Sequence, residues 1–173
     1  MYLVSIYFDE KTNRRIQGFI NKVAEVSGNH FMLEGKVPPH ITVSAFETKE
    51  EEKAVDLLSQ TVKELGKGNL QWASVGQFLP YVIYIMPVLN EYLHNMSTQI
   101  YDVLAKGKDI EISPYYRPFQ WLPHTTIGKK LSKEEMRLAF ETLQTSFGMF
   151  SGKVVRIGLA KPNPYREIIN FEL

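Results

Sequence analysis

The chain has 173 residues, 44% hydrophobic and 23% charged, with a formal net charge of +1. That is room for one compact domain, or two small lobes on a shared core, burying enough apolar surface to need no staples. The lack of cysteine excludes disulfides, thiolate metal sites and a cysteine nucleophile. Lys and Arg total 20 against 19 Asp and Glu, without the basic excess of a protein that tracks long nucleic acid.

In chain order, Tyr2 to Phe8 reads as a strand. It leads into a helix carrying Ile16, Phe19, Ile20 and Val23 and ending near Gly28. No basic segment with a long apolar run precedes the strand, and no stretch approaches the roughly 18 apolar residues of a membrane span. A cytoplasmic protein is therefore expected. Pro39-His40-Ile41-Thr42-Val43 follows as a short strand, then Thr48-x-x-Glu51 as a capping box. The box opens a helix with Ala54, Leu57, Leu58, Thr61 and Leu65 on one face and a stop at Gly66, and Leu70 to Leu79 reads as a strand. The order then recurs. Tyr81 to Met86 is a strand, and Leu89, Leu93, Met96, Ile100 and Leu104 mark a helix that stops at Gly107. Pro123-His124-Thr125-Thr126-Ile127 repeats the earlier strand, and Ser132-x-x-Glu135 repeats the capping box eight residues on from its His. A helix carrying Met136, Ala139, Phe140, Leu143 and Phe147 stops at Gly148, and strands follow over Lys153 to Leu159 and Ile168 to Leu173. The expected fold is α+β: one bilobal domain over 1–173, with an internal repeat of roughly 1–79 and 80–173. It would hold two antiparallel sheets with flanking helices, related by a pseudo-twofold around a central cleft.

Side chains on a strand alternate faces, so His40 shares a face with Thr42, and His124 with Thr126. Ile41, Val43 and Ile127 point the other way, and Thr125 is a hydroxyl on an apolar face that needs a partner or a half-exposed position. If the two motif strands face each other, two imidazoles and two hydroxyls line one cleft. An ordinary imidazole titrates near ~6.5, so neutral and protonated forms coexist around neutrality. One can take a proton from water while the other gives one to a leaving oxygen, each worth roughly 10²–10⁴-fold in rate. The hydroxyls can donate to non-bridging phosphate oxygens. With only two His converging and no carboxylate in either motif, a metal site is not expected.

These two His-x-Thr-hydrophobic motifs, His40-Ile41-Thr42-Val43 and His124-Thr125-Thr126-Ile127, make the sequence resemble the 2H phosphoesterase superfamily, most of all its bacterial 2′-5′ RNA ligase or cyclic phosphodiesterase branch. The resemblance covers nearly the whole chain. It implies a duplicated bilobal fold and hydrolysis of 2′,3′-cyclic phosphates or related small nucleotide or RNA-end esters, with 2′-5′ ligation as the reverse reaction. No metal or other cofactor is implied. It gives His40 and His124 the catalytic roles, His124 activating water and His40 protonating the leaving oxygen, and it gives Thr42 and Thr126 the phosphate. The sequence departs from ligase-like members in having Ser44-Ala45-Phe46-Glu47 after the first motif and Gly128-Lys129-Lys130 after the second. Substrate identity therefore stays open, with a nucleotide-binding module without chemistry and a phosphoesterase with a non-RNA substrate as the alternatives.

Around the motifs, Lys129, Tyr116, Arg117 and Tyr165 are candidates for substrate contact. Tyr115 to Trp121 combines aromatic rings with an Arg that could stack a base and grip a phosphate. His30 and His94 read as loop and helix-packing residues. The partner expected is a small nucleotide or RNA end, the protein a monomer away from membranes.

Overall fold

The computed structural model describes residues 1–173. In chain order the elements are β1 (Tyr2–Phe8), α1 (Glu10–Ser27), α2 (Phe31–Glu34), β2 (His40–Glu47), α3 (Glu51–Val62), β3 (Gly68–Phe78), β4 (Val82–Pro87) and α4 (Glu91–Leu104). Then come β5 (Glu111–Ile112), a 3₁₀ turn (Pro114–Tyr116), β6 (Thr125–Lys129), α5 (Lys133–Ser146), β7 (Phe150–Pro162) and β8 (Tyr165–Glu172). No helix is long and apolar enough to cross a membrane.

The helix ends follow from capping chemistry. Asp9 accepts the Thr12 N–H at 2.8 Å and opens α1, and Gly28 closes it in the left-handed region at φ 71°. Ser132 and Glu135 form the expected capping box on α5. The matching box on α3 does not form. Thr48 accepts the Glu50 N–H instead, and the Glu51 carboxylate turns to the Tyr2 hydroxyl, Lys161 and Arg166. Two cationic partners, an ammonium and a guanidinium, outcompete one backbone N–H, and they hold the Glu51 carboxyl down at about 2. The glycines expected as helix stops lie just beyond the ends: α3 ends at Val62 before Gly66, and α4 at Leu104 before Gly107.

The strands form one continuous antiparallel sheet of eight, in the order β5-β2-β1-β7-β3-β4-β6, with β8 also paired to β7. This corrects the expectation of two separate sheets. The physical reason is the length of β7. At 13 residues it lends Phe150–Val154 to β3 and Val154–Ala160 to β1, so it stitches together what would otherwise be two sheets. Its Arg156–Pro162 stretch also pairs β8. Although four strands separate β2 from β6 in that order, they approach each other in space, so the sheet curls around a cleft. Both halves of the sequence build each side: α1 packs on α5 and β6, and α4 packs on α3 and β2. The α1–β6 approach is close enough that a Cβ on Gly128 would meet Ile83, Leu131 and Val23 at 2.9–3.1 Å.

The core lies under the helices. It gathers Ile41, Val43 and Ile127 from the back of the motif strands with Ile16, Phe19, Ile20 and Val23 of α1 and Leu93, Met96 and Ile100 of α4. Trp72, fully buried, stacks on Phe150 at 4.9 Å and meets Phe8 edge-on at 5.0 Å. Its indole N–H donates to the Thr125 hydroxyl at 3.3 Å, the partner that this inward hydroxyl requires. Replacing Thr125 with the near-isosteric Val strands a buried N–H, and chemical denaturation should show a loss of about 1–3 kcal/mol.

Candidate active site

His40 begins β2, and His124 immediately precedes β6, one residue short of the strand expected for it. The two are held alike. The His40 ring meets the Pro38 carbonyl through Nδ1 at 2.8 Å, and His124 meets the Leu122 carbonyl through Nδ1 at 2.9 Å. A carbonyl can only accept, so Nδ1 carries the proton in both rings and Nε2 is left as the nitrogen available for transfer.

His40, Thr42, His124, Thr126, Tyr116 and Lys129 all line one cleft of about 530 Å³. The alternation expected for the motif strands thus places the named side chains on the cleft face, with Thr125 fully buried behind them. Trp121 ties the two motifs together: its indole N–H donates to the Thr42 carbonyl at 3.0 Å. The Ser5 hydroxyl lies 3.5 Å from that of Thr42. On the His124 side, Phe78 meets the imidazole edge-on at 4.8 Å and Tyr84 stands 5.3 Å away. On the His40 side, Tyr7 stands 6.1 Å away.

Both imidazoles titrate below their ordinary range. Burial is the first cause for His40, opposed by its bond to Pro38, and the charges of His124 and Lys129 push in the same direction as burial. Burial alone lowers His124, opposed by its bond to Leu122. His124 and Lys129 line the same cleft as His40, which is why their charges bear on a proton there.

The remaining candidates divide. Lys129 enters no ion pair and lines the cleft, whereas Lys130 lies over the Phe31 ring at 4.3 Å. Tyr165 lines an adjoining chamber of about 370 Å³ that shares His40, Thr126 and Lys129 with the cleft. Arg117 lines neither cavity: the turn after Tyr116 leaves it exposed and swings Phe119 out to 88% exposure against the His94 ring. His30 is exposed at the start of α2. Leu3, Ser5 and Tyr7 were not singled out from the sequence, yet all three line the site from β1. Their signal lay in pairing, since Tyr7 stands opposite His40 and Ser5 opposite Thr42 in the sheet. No three His, Asp or Glu side chains come together at metal-ligating spacing.

A curled antiparallel sheet with helices on its back and two backbone-tethered imidazoles in its cleft defines a two-histidine phosphoesterase type of fold. Residues 13–165 match the family described as the 2′-5′ RNA ligase superfamily, and the chain belongs to that family, within the 2H phosphoesterases. No curated protein matches it in sequence. Among solved structures it is similar to Escherichia coli LigT complexed with 3′-AMP, at 16% identity and a TM-score of 0.61, with 99% of this chain and 97% of that one covered. It is also similar to a protein described only as a phosphoesterase, at 15% identity and a TM-score of 0.59, with 99% and 97% covered. At these identities the likeness is one of fold.

Proposed function

We propose that the protein is a phosphodiesterase that opens a 2′,3′-cyclic phosphate, or cleaves a related small nucleotide or RNA-end ester, by acid–base chemistry at His40 and His124. The observation that carries this reading is the pair of matched tethers: each ring spends Nδ1 on a backbone carbonyl, which fixes the tautomer and leaves Nε2 for proton transfer in a shared cleft. A neutral ring takes a proton from water as the water oxygen attacks phosphorus. The bond from phosphorus to the leaving ribose oxygen breaks, and that oxygen takes a proton from the other ring, held as imidazolium. Thr42 and Thr126 donate to the non-bridging oxygens, and Lys129 offsets their charge.

Family resemblance makes His124 the base and His40 the acid. The charges in this cleft favour the reverse, because Lys129 opposes a proton on His40, whereas the repulsion between the two rings is mutual and does not choose between them. The small-substrate part of the reading is supported by the balanced net charge of +1 and by the LigT structures, which hold 3′-AMP and NADP⁺. The balanced charge equally favours a phosphoester outside RNA, the second reading.

The test is ³¹P NMR of the four 2′,3′-cyclic nucleotides with the protein in excess EDTA. Conversion of the cyclic signal to one monoester supports the reading, and the product's shift identifies the oxygen that leaves. No conversion of any of the four overturns the cyclic-phosphate reading and turns the choice to the phosphoester outside RNA. Lys129→Met should raise KM about tenfold with a smaller effect on kcat, and flatten the dependence of KM on salt, because a point charge on the phosphate is removed. Steady-state kinetics at two ionic strengths would check this.

A further inference from the structure

One face of a regular strand receives every second residue. Counted on from His40 and Thr42, or from His124 and Thr126, that rule would turn Ser44 and Gly128 into the cleft and put Ala45 and Lys129 behind it. The structure has the opposite. Ala45 and Lys129 line the cleft, Ser44 is buried, and the Cβ that Gly128 lacks would point at Ile83, Leu131 and Val23. The cause is one extra residue in each motif strand. On β2, Thr42 stands opposite Ser5 and Ser44 opposite Val4, so Val43 has no partner on β1. On β6, Thr126 stands opposite Tyr84 and Gly128 opposite Ile83, so Ile127 has none on β4. Each is a β-bulge, and each falls at the third residue after its His.

The side chains show that the bulge, and not the residue type, decides the face. Ser44 is turned inward beside Val4, and its hydroxyl is buried there without a hydrogen-bond partner. At the matching place on β6 a side chain has no room at all. A Cβ on Gly128 would lie 2.9 Å from Ile83 Cγ2, 3.0 Å from Leu131 Cδ1 and 3.1 Å from Val23 Cγ1. Since β2 carries a serine at its bulge, the bulge itself does not demand glycine. The demand comes from α1, which brings Val23 down onto β6. A side chain at 128 fits only if this end of β6 lifts from α1, and the residue that lifts with it is Lys129.

Resting on the phosphodiesterase reading above, we propose that the bulge after each motif is the device that turns the fifth residue from each His into the cleft, and that Gly128 is a positioning residue that acts through Lys129. The two bulges make two equivalent seats. Lys129 fills one and Ala45 the other, so the lysine or arginine charge in the cleft comes from the β6 side alone. His124 and Thr126 precede the bulge, and Thr125 and Thr126 are held by pairing with Ile85 and Tyr84. A change at 128 therefore displaces the cation and leaves the acid–base pair in place.

The first test needs no substrate. The His40 ring is titrated by NMR in wild type, Lys129→Met and Gly128→Ala. Lys129 opposes a proton on His40, so Lys129→Met should raise the titration point, and Gly128→Ala should raise it as well. The second test is steady-state kinetics on a 2′,3′-cyclic nucleotide. Gly128→Ala should raise KM about tenfold with a smaller effect on kcat, as Lys129→Met does. The double variant should stay within about twofold of Lys129→Met, because a residue that acts through another has nothing left to remove. A glycine that served only the fold would add its own loss to that of Lys129→Met. A His40 titration point unmoved by Gly128→Ala, or an additive double variant, overturns the proposal while the phosphodiesterase reading stands. If no cyclic phosphate is turned over, that reading fails and the ring titration alone decides the proposal. Should Gly128→Ala not fold, Ala45→Lys in the Lys129→Met protein tests the other seat. The bulge on β2 must carry the new ammonium into the cleft and bring the His40 titration point back down; no return overturns the proposal.

Discussion

Replacing His40 with asparagine will cut turnover of a 2′,3′-cyclic nucleotide by roughly 10²–10⁴-fold, and replacing His124 will do the same. The double variant will be little worse than either single one. The expectation of non-additivity follows from the geometry. The two rings serve one proton relay, into one cleft, across one phosphorus. Once the base is gone the acid has no charge developing on the leaving oxygen to answer, and once the acid is gone the base drives an attack that cannot expel its leaving group. If each ring acted alone, the losses would multiply to roughly 10⁴–10⁸-fold. Single-turnover rates followed by ³¹P NMR would separate the two cases, and a double variant with the multiplied loss would sink the paired mechanism. Asparagine is preferred to alanine because its amide can still donate to the Pro38 or Leu122 carbonyl. The variants therefore lose the titrating group while the tether survives, and matching thermal unfolding curves would establish that the fold is intact.

How much of this was legible in the chain depends on the range of the interaction. Local chemistry read well. Gly28 ends α1 because only a left-handed residue serves there, and Ser132 with Glu135 caps α5 because both partners lie within one turn. The inward faces of the motif strands read equally well, since Ile41, Val43 and Ile127 obey a period of two. What failed did so where a distant partner intervened. Thr48 and Glu51 have the same spacing as Ser132 and Glu135, but Lys161 and Arg166 arrive from the far hairpin and take the carboxylate. The single sheet was hidden because the pattern of β7 does not say that its two ends serve different neighbours. Arg117 looked as eligible as Tyr116, but Tyr116 lines the cleft and Trp121 is buried against the Thr42 carbonyl while Arg117 is exposed, which no local pattern in that segment announces. Tyr7 and Ser5 enter the site purely through register with β2, which no local pattern in β1 announces.

The pH dependence is the sharper probe of the pair, because both rings are pushed the same way. Activity requires one ring neutral and one protonated. As pH falls the base takes up a proton and the rate drops about tenfold per unit; as pH rises the acid loses its proton and the rate drops likewise. The maximum of kcat/KM falls midway between the two macroscopic values of the coupled pair. Burial lowers both from the ordinary ~6.5, and His124 and Lys129 lower His40 further. The bell for kcat/KM must therefore centre below about pH 6.5. Bound phosphate adds negative charge between the rings, which favours imidazolium, so the bell for kcat should lie to the alkaline side of it. The same shifts act on folding with a definite sign. A group whose pKa is depressed in the folded state contributes its stability above the unfolded value and loses it as pH falls through the folded one. Unfolding midpoints should thus decline as pH drops below about 6.5, and less so in the variant lacking both imidazoles. Lys129→Met removes one of the charges weighing on His40 and should move the acid–base midpoint upward, toward neutrality. A kcat/KM optimum above pH 7.5 in wild type, or a Lys129→Met midpoint displaced to lower pH, would show that the charges in the cleft do not act on His40 as its surroundings require.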